Sequence, residues 1–409
     1  MKPFLEQALG IARRVSRDAI WCNGSCNWIG PSIESFDMTD IRHRSFGPDL
    51  YSGTSGVALF LASASEVSGE RLVRKTAGGA ARHAHMHAQD LAPALRIGMY
   101  SGNLGIAWAL TRVGELLGEA AWVERGLALL DDIDEEVTAG AVDVMSGYAG
   151  AIPVLLDLSR RYLRPAWLEL AVRWGDELER SAVKSSEGWS WKAINLPAHV
   201  AGRNLTGFSH GTAGIGWAFL ELFEATHNRH FRDAAEEAFR YERTHYSVEH
   251  ENWPDFRDYL KPPGSSAAPA FGVAWCHGAP GIALSRIRAW HLTGSAEARQ
   301  EADAAIRTTK RTLETLNTAM SGFSLCHGSA GNADVLLEFD REFNAPDLRQ
   351  SAETVAHKAI EQFEDQRLPW PCGVPGAGET ANLMLGISGI GYFYLRLANP
   401  EIPTVLMIG

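Results

Sequence analysis

The sequence predicts an all-α fold, an α/α toroid of seven inner and seven outer helices with Gly-rich loops at the cavity mouth. Three observations predict it. A G-x-x-G pair recurs seven times, apolar runs open after several of these pairs, and amphipathic charged stretches lie between them.

The pairs are Gly53/Gly56, Gly102/Gly105, Gly147/Gly150, Gly211/Gly214, Gly278/Gly281, Gly328/Gly331 and Gly386/Gly389, with first glycines 49, 45, 64, 67, 50 and 58 residues apart. One such pair is weak evidence, whereas a fixed motif at this period marks a repeat architecture. The runs that follow, such as 57–62 and 215–223, are rich in Ala, Leu, Ile and Trp and nearly free of charge. They read as buried helices. The stretches 119–132, 233–246 and 295–316 alternate charged and apolar residues and read as outer helices. Each unit is therefore a loop, a Gly-opened inner helix and an outer helix, and such units bury their apolar faces only by stacking. The last unit, 383–397, is as apolar as the middle ones, so the stack closes into a ring instead of ending in a polar cap. The expected organisation is a single domain: residues 1–45 as a lead-in helix and loop, and 46–409 as the toroid.

The composition bounds the function. A chain of 409 residues with 45% hydrophobic content can bury a large core, and its net charge of −11 argues against nucleic-acid binding. No apolar run reaches the ~18–20 residues of a membrane span, and the start lacks a signal pattern, so a cytoplasmic location is expected. Five cysteines spread through the chain are not a disulfide framework. Cys22 and Cys26 have metal-like spacing but no second pair, and read as ordinary thiols. His83, His85 and His87 read as part of a surface helix before a second metal site.

Aligning the repeats on their first glycine makes them controls for one another. The residue before it is Ser52, Ser101, Ser146, His210, His277, His327 and Leu385; the one before that is Tyr51, Tyr100, Met145, Ser209, Cys276, Cys326 and Met384. Repeats four to six thus carry Ser-His, Cys-His and Cys-His where the others are bland, and a ring brings these three together. Two thiols with imidazole are a zinc site by ligand type. With Cys276 and Cys326 as two ligands, the residues leave His277 and His327 as alternatives for the third.

The motifs F-S-H-G-T-A-G-I-G (208–216), W-C-H-G-A-P-G-I-A (275–283), L-C-H-G-S-A-G-N (325–332) and N-L-M-L-G-I-S-G-I-G-Y (382–392) resemble the lanthionine synthetase C-like family. The W-C-H-G-A-P-G form and the ending I-P-T-V-L (402–406) look most like the cyclase portion of two-domain lanthipeptide synthetases. The resemblance implies an α/α toroid with one Zn2+ held by Cys276, Cys326 and His327, leaving an open coordination position. It places a family active-site histidine on His210 and an active-site aspartate on Asp143. The stand-alone cyclases often have Arg four residues before the first zinc cysteine and Tyr just after it. Here Gly272 and His277 stand there, and Arg257 or Arg203 are candidates for the arginine's role.

The implied reaction adds a cysteine thiol of a precursor peptide to dehydroalanine or dehydrobutyrine, forming a lanthionine or methyllanthionine ring. His210 or His277 would deliver the proton the adduct needs, with Asp143 orienting a histidine. The implied partners are a dehydrated precursor peptide and a separate dehydratase or kinase/lyase, because nothing in the sequence resembles those activities; the chain is equally readable as the cyclase part of a larger enzyme. Two other readings are intermolecular addition of a thiol such as glutathione to dehydroamino acids, and a zinc-bearing peptide-binding scaffold without turnover. Long loops at 181–208 and 247–274 contain Trp189, Trp191, Trp253 and the Pro262–Pro263–Gly264 turn. They read either as a peptide groove or as aromatic packing.

Overall fold

A computed structural model describes residues 2–33, 41–131, 133, 141–192, 203–257, 268–315 and 322–408. The Pro262–Pro263–Gly264 turn and most of the acidic run 131–136 lie outside the described residues. Fourteen α-helices are described, and they fall into two alternating sets. One set opens at the seven G-x-x-G pairs: α2 (Thr54–Ser68), α4 (Asn103–Leu117), α6 (Tyr148–Tyr162), α8 (Thr212–Thr226), α10 (Ala279–Thr293), α12 (Ser329–Phe343) and α14 (Ile387–Ala398). The other set is α1 (Lys2–Arg17), α3 (Arg71–His87), α5 (Ala120–Ala128), α7 (Pro165–Ser181), α9 (Arg229–Thr244), α11 (Ala296–Thr315) and α13 (Pro346–Ala359).

Burial follows the sequence pattern. In α8 every residue from Thr212 to Leu222 is buried, as expected of a helix apolar on all sides. In α9 only one face is buried, through Phe231, Ala234, Ala235, Ala238, Phe239, Tyr241 and Glu242. Charges fill the opposite face.

The chain forms two compact units. The first comprises Met1–Val137, Leu316–Asp334 and Gln350–Leu406. Within it α2 packs on α3, α4 and α14, α4 packs on α5, and the N-terminal helix α1 packs on α14. The second comprises Thr138–Thr315, Val335–Arg349 and Met407–Gly409. Here α6, α8 and α10 each pair with the helix that follows, and α8 also packs on α6 and α10.

The repeated glycines have distinct jobs. The first is the N-cap residue of its helix, in extended backbone at Gly53, Gly102, Gly147, Gly211 and Gly386. The second lies one turn into the helix, against the carbonyl six residues earlier. A Cβ at Gly105 would lie 1.6 Å from the Met99 oxygen, and one at Gly281 would lie 2.0 Å from the Trp275 oxygen. Only a residue without a side chain lets the loop fold back this tightly onto its own helix.

The all-helical expectation omits three small antiparallel ribbons: β1 (Ile20–Cys22) with β2 (Ser25–Asn27), β3 (Ile29–Ile33) with β4 (Ile41–Ser45), and β5 (Val183–Ser185) with β6 (Gly188–Ser190). The first turns through Asn23 (φ 48°) and Gly24 (φ 79°). That is the Asn-Gly signature of a two-residue hairpin. The third ribbon occupies part of the stretch read as a long loop.

Candidate metal centre

The residues that carry chemistry sit on the loops leading into the buried helices. In the second unit, Asp143 lies four residues before Gly147 and is 7% exposed. Its Oδ1 accepts from the Ser146 backbone N–H (2.8 Å) and hydroxyl (3.2 Å), closing the turn into α6. Its Oδ2 accepts from Nδ1–H of His210 at 2.7 Å. Burial alone pushes this carboxyl up, but the His210 charge and these hydrogen bonds outweigh it, leaving Asp143 below its ordinary value. Asp143 is therefore a buried, bonded carboxylate and not a solvated surface acid.

A comparison inside the first unit shows what His210 adds. Asp49, also four residues before its glycine, caps Ser52 in the same way (backbone N–H to Oδ1, 2.7 Å). Burial pushes the Asp49 carboxyl up, with only Ser52 and local backbone bonds opposing it. The turn-capping carboxylate is thus shared by repeats one and three, and in repeat three its second oxygen is directed to a histidine.

His210 is partly exposed, and its ring stacks on His277 with centroids 5.9 Å apart and planes 28° apart. His277 is 3% exposed, and its Nε2 has no hydrogen-bond partner among the described residues. Burial first, then the nearby Arg257 charge, holds this imidazole well below its ordinary value, with Asp255 opposing. The preceding Cys276 is half-buried, and its carbonyl accepts from both the backbone N–H and the hydroxyl of Ser209, each at 3.2 Å.

In the first unit, Cys326 is 4% exposed, and its N–H donates to the Met384 carbonyl (3.0 Å). Beside it, Nε2–H of His327 donates to the Gly373 carbonyl at 2.8 Å. A carbonyl can only accept, so this bond fixes the proton on Nε2 and leaves the lone pair on Nδ1. An imidazole that binds a metal through Nδ1 has this tautomer, and an outer bond from the other ring nitrogen is the kind that metal-ligating histidines make. Gly373 is itself anchored through its N–H to the Leu385 carbonyl (2.7 Å). Sequence reasoning missed Gly373, since only its place in the Pro-Cys-Gly turn hints at a special backbone. Cys276 on the second unit and Cys326 and His327 on the first are side chains that could hold a metal ion. Two thiol sulfurs and one imidazole suit zinc.

Other singled-out residues take structural places. Burial pushes the thiols of Cys26 and Cys372 up to about 12, and Cys22 is exposed on its ribbon. His83 is not on a free surface: its ring nitrogens lie 3.0 Å from the Thr54 hydroxyl and 2.9 Å from the Asn27 amide. Trp191 and Trp253 are core residues at 3% and 1% exposure, while Trp189 lies under the Lys184 ammonium at 3.9 Å. Arg257 clamps both carboxylate oxygens of Asp255, and Arg203 lies over the Phe256 ring. No described helix is long and apolar enough to cross a membrane.

Comparison with known proteins gives this arrangement a context. The lacticin 481/lactococcin biosynthesis protein LcnDR2 of Lactococcus lactis subsp. lactis is 24% identical over 387 residues. The match covers 90% of this chain and 38% of that protein, so the chain spans well under half the length of this curated relative. The solved structure of nisin cyclase superposes with a TM-score of 0.65 at 18% identity, over 88% of this chain and 91% of that one. A sugar epimerase from a ruminal bacterium (TM-score 0.50, 12% identity, 98% of this chain and 99% of that one) shares only the fold. So does an α-mannanase from Bacteroides thetaiotaomicron (0.51, 12%, 98% and 96%). The fold is the α/α toroid expected from the sequence. The family described as lanthionine synthetase C-like protein matches residues 44–408, and the chain belongs to that family.

Proposed function

We propose that this chain is a zinc-dependent lanthipeptide cyclase, adding peptide cysteine thiols to dehydroalanine or dehydrobutyrine to form thioether rings. Cys276, Cys326 and His327 would hold the zinc, and the two thiolates with the Nδ1 lone pair of His327 are chemically suited to it. When bound, zinc supplies Lewis acidity that deprotonates a coordinating thiol, which free in solution titrates near 8.5.

The observation that carries the reading is the Asp143–His210 pair on the loop that also grips the Cys276 backbone. Adding a thiol across the double bond forms one S–C bond at the β-carbon and one C–H bond at the α-carbon. The thiol's proton is lost and a proton is returned, so no oxidant or reductant enters. Asp143 holds Nδ1 of His210, which directs Nε2 toward proton exchange, and the partial exposure of His210 lets it meet a substrate. His277, buried beside it with an unpartnered Nε2, is the second histidine of the site and is suited to bonding the substrate backbone or the adduct. Relatives named as a nisin cyclase and a lacticin 481/lactococcin biosynthesis protein support the same chemistry. The dehydrated peptide must be supplied by a dehydrating activity, either a dehydratase or a kinase/lyase pair.

The test is incubation with a peptide carrying one cysteine and one dehydroalanine. Ring closure leaves the mass unchanged but removes the thiol, so alkylation followed by mass spectrometry counts it. Loss of the alkylatable thiol is expected, and its failure in His210→Ala is expected too. Adducts only with added glutathione would replace this reading with intermolecular thiol addition, and binding without reaction would indicate a scaffold.

A further inference from the structure

The loop that presents Cys276 and His277 is braced differently from its sister loops. In repeats one, three and seven the residue four before the glycine is Asp49, Asp143 or Asn382, and its side-chain oxygen accepts the N–H of the residue before the glycine. In repeat five that position is Ala274, which has no acceptor. Repeat four has Gly207 there, and its acceptor comes from α9: Oε1 of Glu242 takes the N–H groups of Gly207 (2.8 Å) and Ala213 (3.0 Å).

Repeat five borrows Asn252. This residue is 2% exposed and uses both ends of its amide. Nδ2 donates to the Gly272 carbonyl at 2.9 Å, and Oδ1 accepts from the N–H groups of Ala279 and Trp253, both at 2.9 Å. Gly272 and Ala279 are the two ends of the segment that carries Cys276 and His277. Inside it, the Ala274 N–H donates to the His277 carbonyl at 3.0 Å. The ends are pressed together at Gly278, whose φ of +88° suits glycine and whose Cβ would lie 1.8 Å from the Gly272 oxygen. Asn252 is itself fixed: its backbone exchanges hydrogen bonds with Ser247 (2.9 and 3.3 Å), and the Thr308 hydroxyl bonds the neighbouring Glu251 carbonyl (2.7 Å).

We propose that Asn252 is the positioning residue that holds the Cys276 loop in its metal-ligating geometry, by tying Gly272 to Ala279. The inference rests on the metal reading above, since it concerns how one of the three ligands is aimed. A partner bonded directly to a ligand side chain governs about 10- to 100-fold in metal affinity, and Asn252, which bonds the backbone on either side of Cys276, is expected at the lower end of that range. It also explains why the loop tolerates Gly272 and Ala274: its shape is imposed from outside.

The experiment measures zinc affinity by chelator competition, and the thiolate-to-cobalt charge-transfer absorption of the cobalt-loaded protein. Parent, Asn252→Ala, Asn252→Asp and Cys276→Ala are compared. A purely structural role would lower thermal stability in Asn252→Ala while leaving zinc affinity and the cobalt spectrum at parent values; that result overturns the proposal. The expected result is about 10-fold weaker zinc binding with an altered absorption, the lower end of the range for outer bonds at metal sites. Asn252→Asp keeps the oxygen that accepts the Ala279 and Trp253 N–H groups but sets a carboxylate oxygen against the Gly272 carbonyl, so the tie is cut at that end and zinc binding is expected to weaken as in Asn252→Ala. This variant decides the matter if the alanine protein does not fold, because parent affinity in it also overturns the proposal. A parent protein that binds no zinc, with Cys276→Ala indistinguishable from it, defeats the metal reading itself and removes this inference with it.

Discussion

Nδ1 of His210 donates to Oδ2 of Asp143 at 2.7 Å, while the other oxygen of the same carboxylate closes the turn at Ser146. One buried side chain thus joins a structural duty, shared with Asp49, to an orienting duty seen only where the next repeat supplies a histidine. His210→Ala is expected to slow ring formation by about 10²- to 10⁴-fold, the usual worth of a positioned acid–base group. Asp143→Asn keeps an acceptor for Ser146 and is expected to slow it less, with an altered pH–rate profile. An unchanged profile in the asparagine variant would show that Asp143 serves only the turn.

The same pair has a pH signature in stability. Asp143 ionises below its ordinary value in the fold. Its contribution is therefore complete above the unfolded aspartate value near 3.9, and is lost as pH falls through the lower folded value. Asp143→Asn is expected to be less stable than the parent at pH 7 by about 1 kcal/mol, once the partial exposure of His210 is discounted. Denaturant unfolding at pH 7 and below ~3.9 should show the two proteins converging in acid.

Gly373 offers a second handle on the metal centre. A Cβ there would lie 3.0 Å from Nε2 of His327 and 2.7 Å from the Leu385 side chain. Gly373→Ala is expected to displace the carbonyl that fixes the His327 tautomer and to weaken zinc binding about tenfold or more. Chelator competition measures it, with circular dichroism showing that the helices persist.

The glycines of the repeat are separable by their surroundings. Gly105→Ala drives a methyl group into the Met99 carbonyl at 1.6 Å and is expected to cost about 3 kcal/mol or more. Gly78, inside α3, has nothing within 4 Å of its Cβ position, and Gly78→Ala is expected to stabilise by roughly 0.5–1 kcal/mol. Thermal unfolding of the two variants should shift in opposite directions.

Much of the fold was legible because the repeat writes the same local physics seven times. Gly-x-x-Gly is readable since its second glycine meets a carbonyl six residues back in the same chain segment, as at Gly105 and Gly281. Cys276, Cys326 and His327 stand out in sequence for a related reason: they fill positions that Ser, Tyr or Met fill in other repeats. Asn252 and Gly373 could not be read this way. Each acts on a loop distant in sequence, Asn252 from 20 residues before Gly272 and Gly373 from 46 after His327, and a motif carries no trace of such a partner. The first ribbon is written locally, in the Asn23-Gly24 turn between Cys22 and Cys26.

The most direct test of the account is zinc stoichiometry, measured by elemental analysis on the purified chain and on Cys276→Ala, Cys326→Ala and His327→Ala, alongside ring closure of the dehydrated peptide. About one zinc per chain is expected in the parent, as for a single three-ligand site. Little or none is expected in the cysteine variants, with ring formation lost in parallel. Full zinc content together with full cyclisation in either cysteine variant would contradict the account.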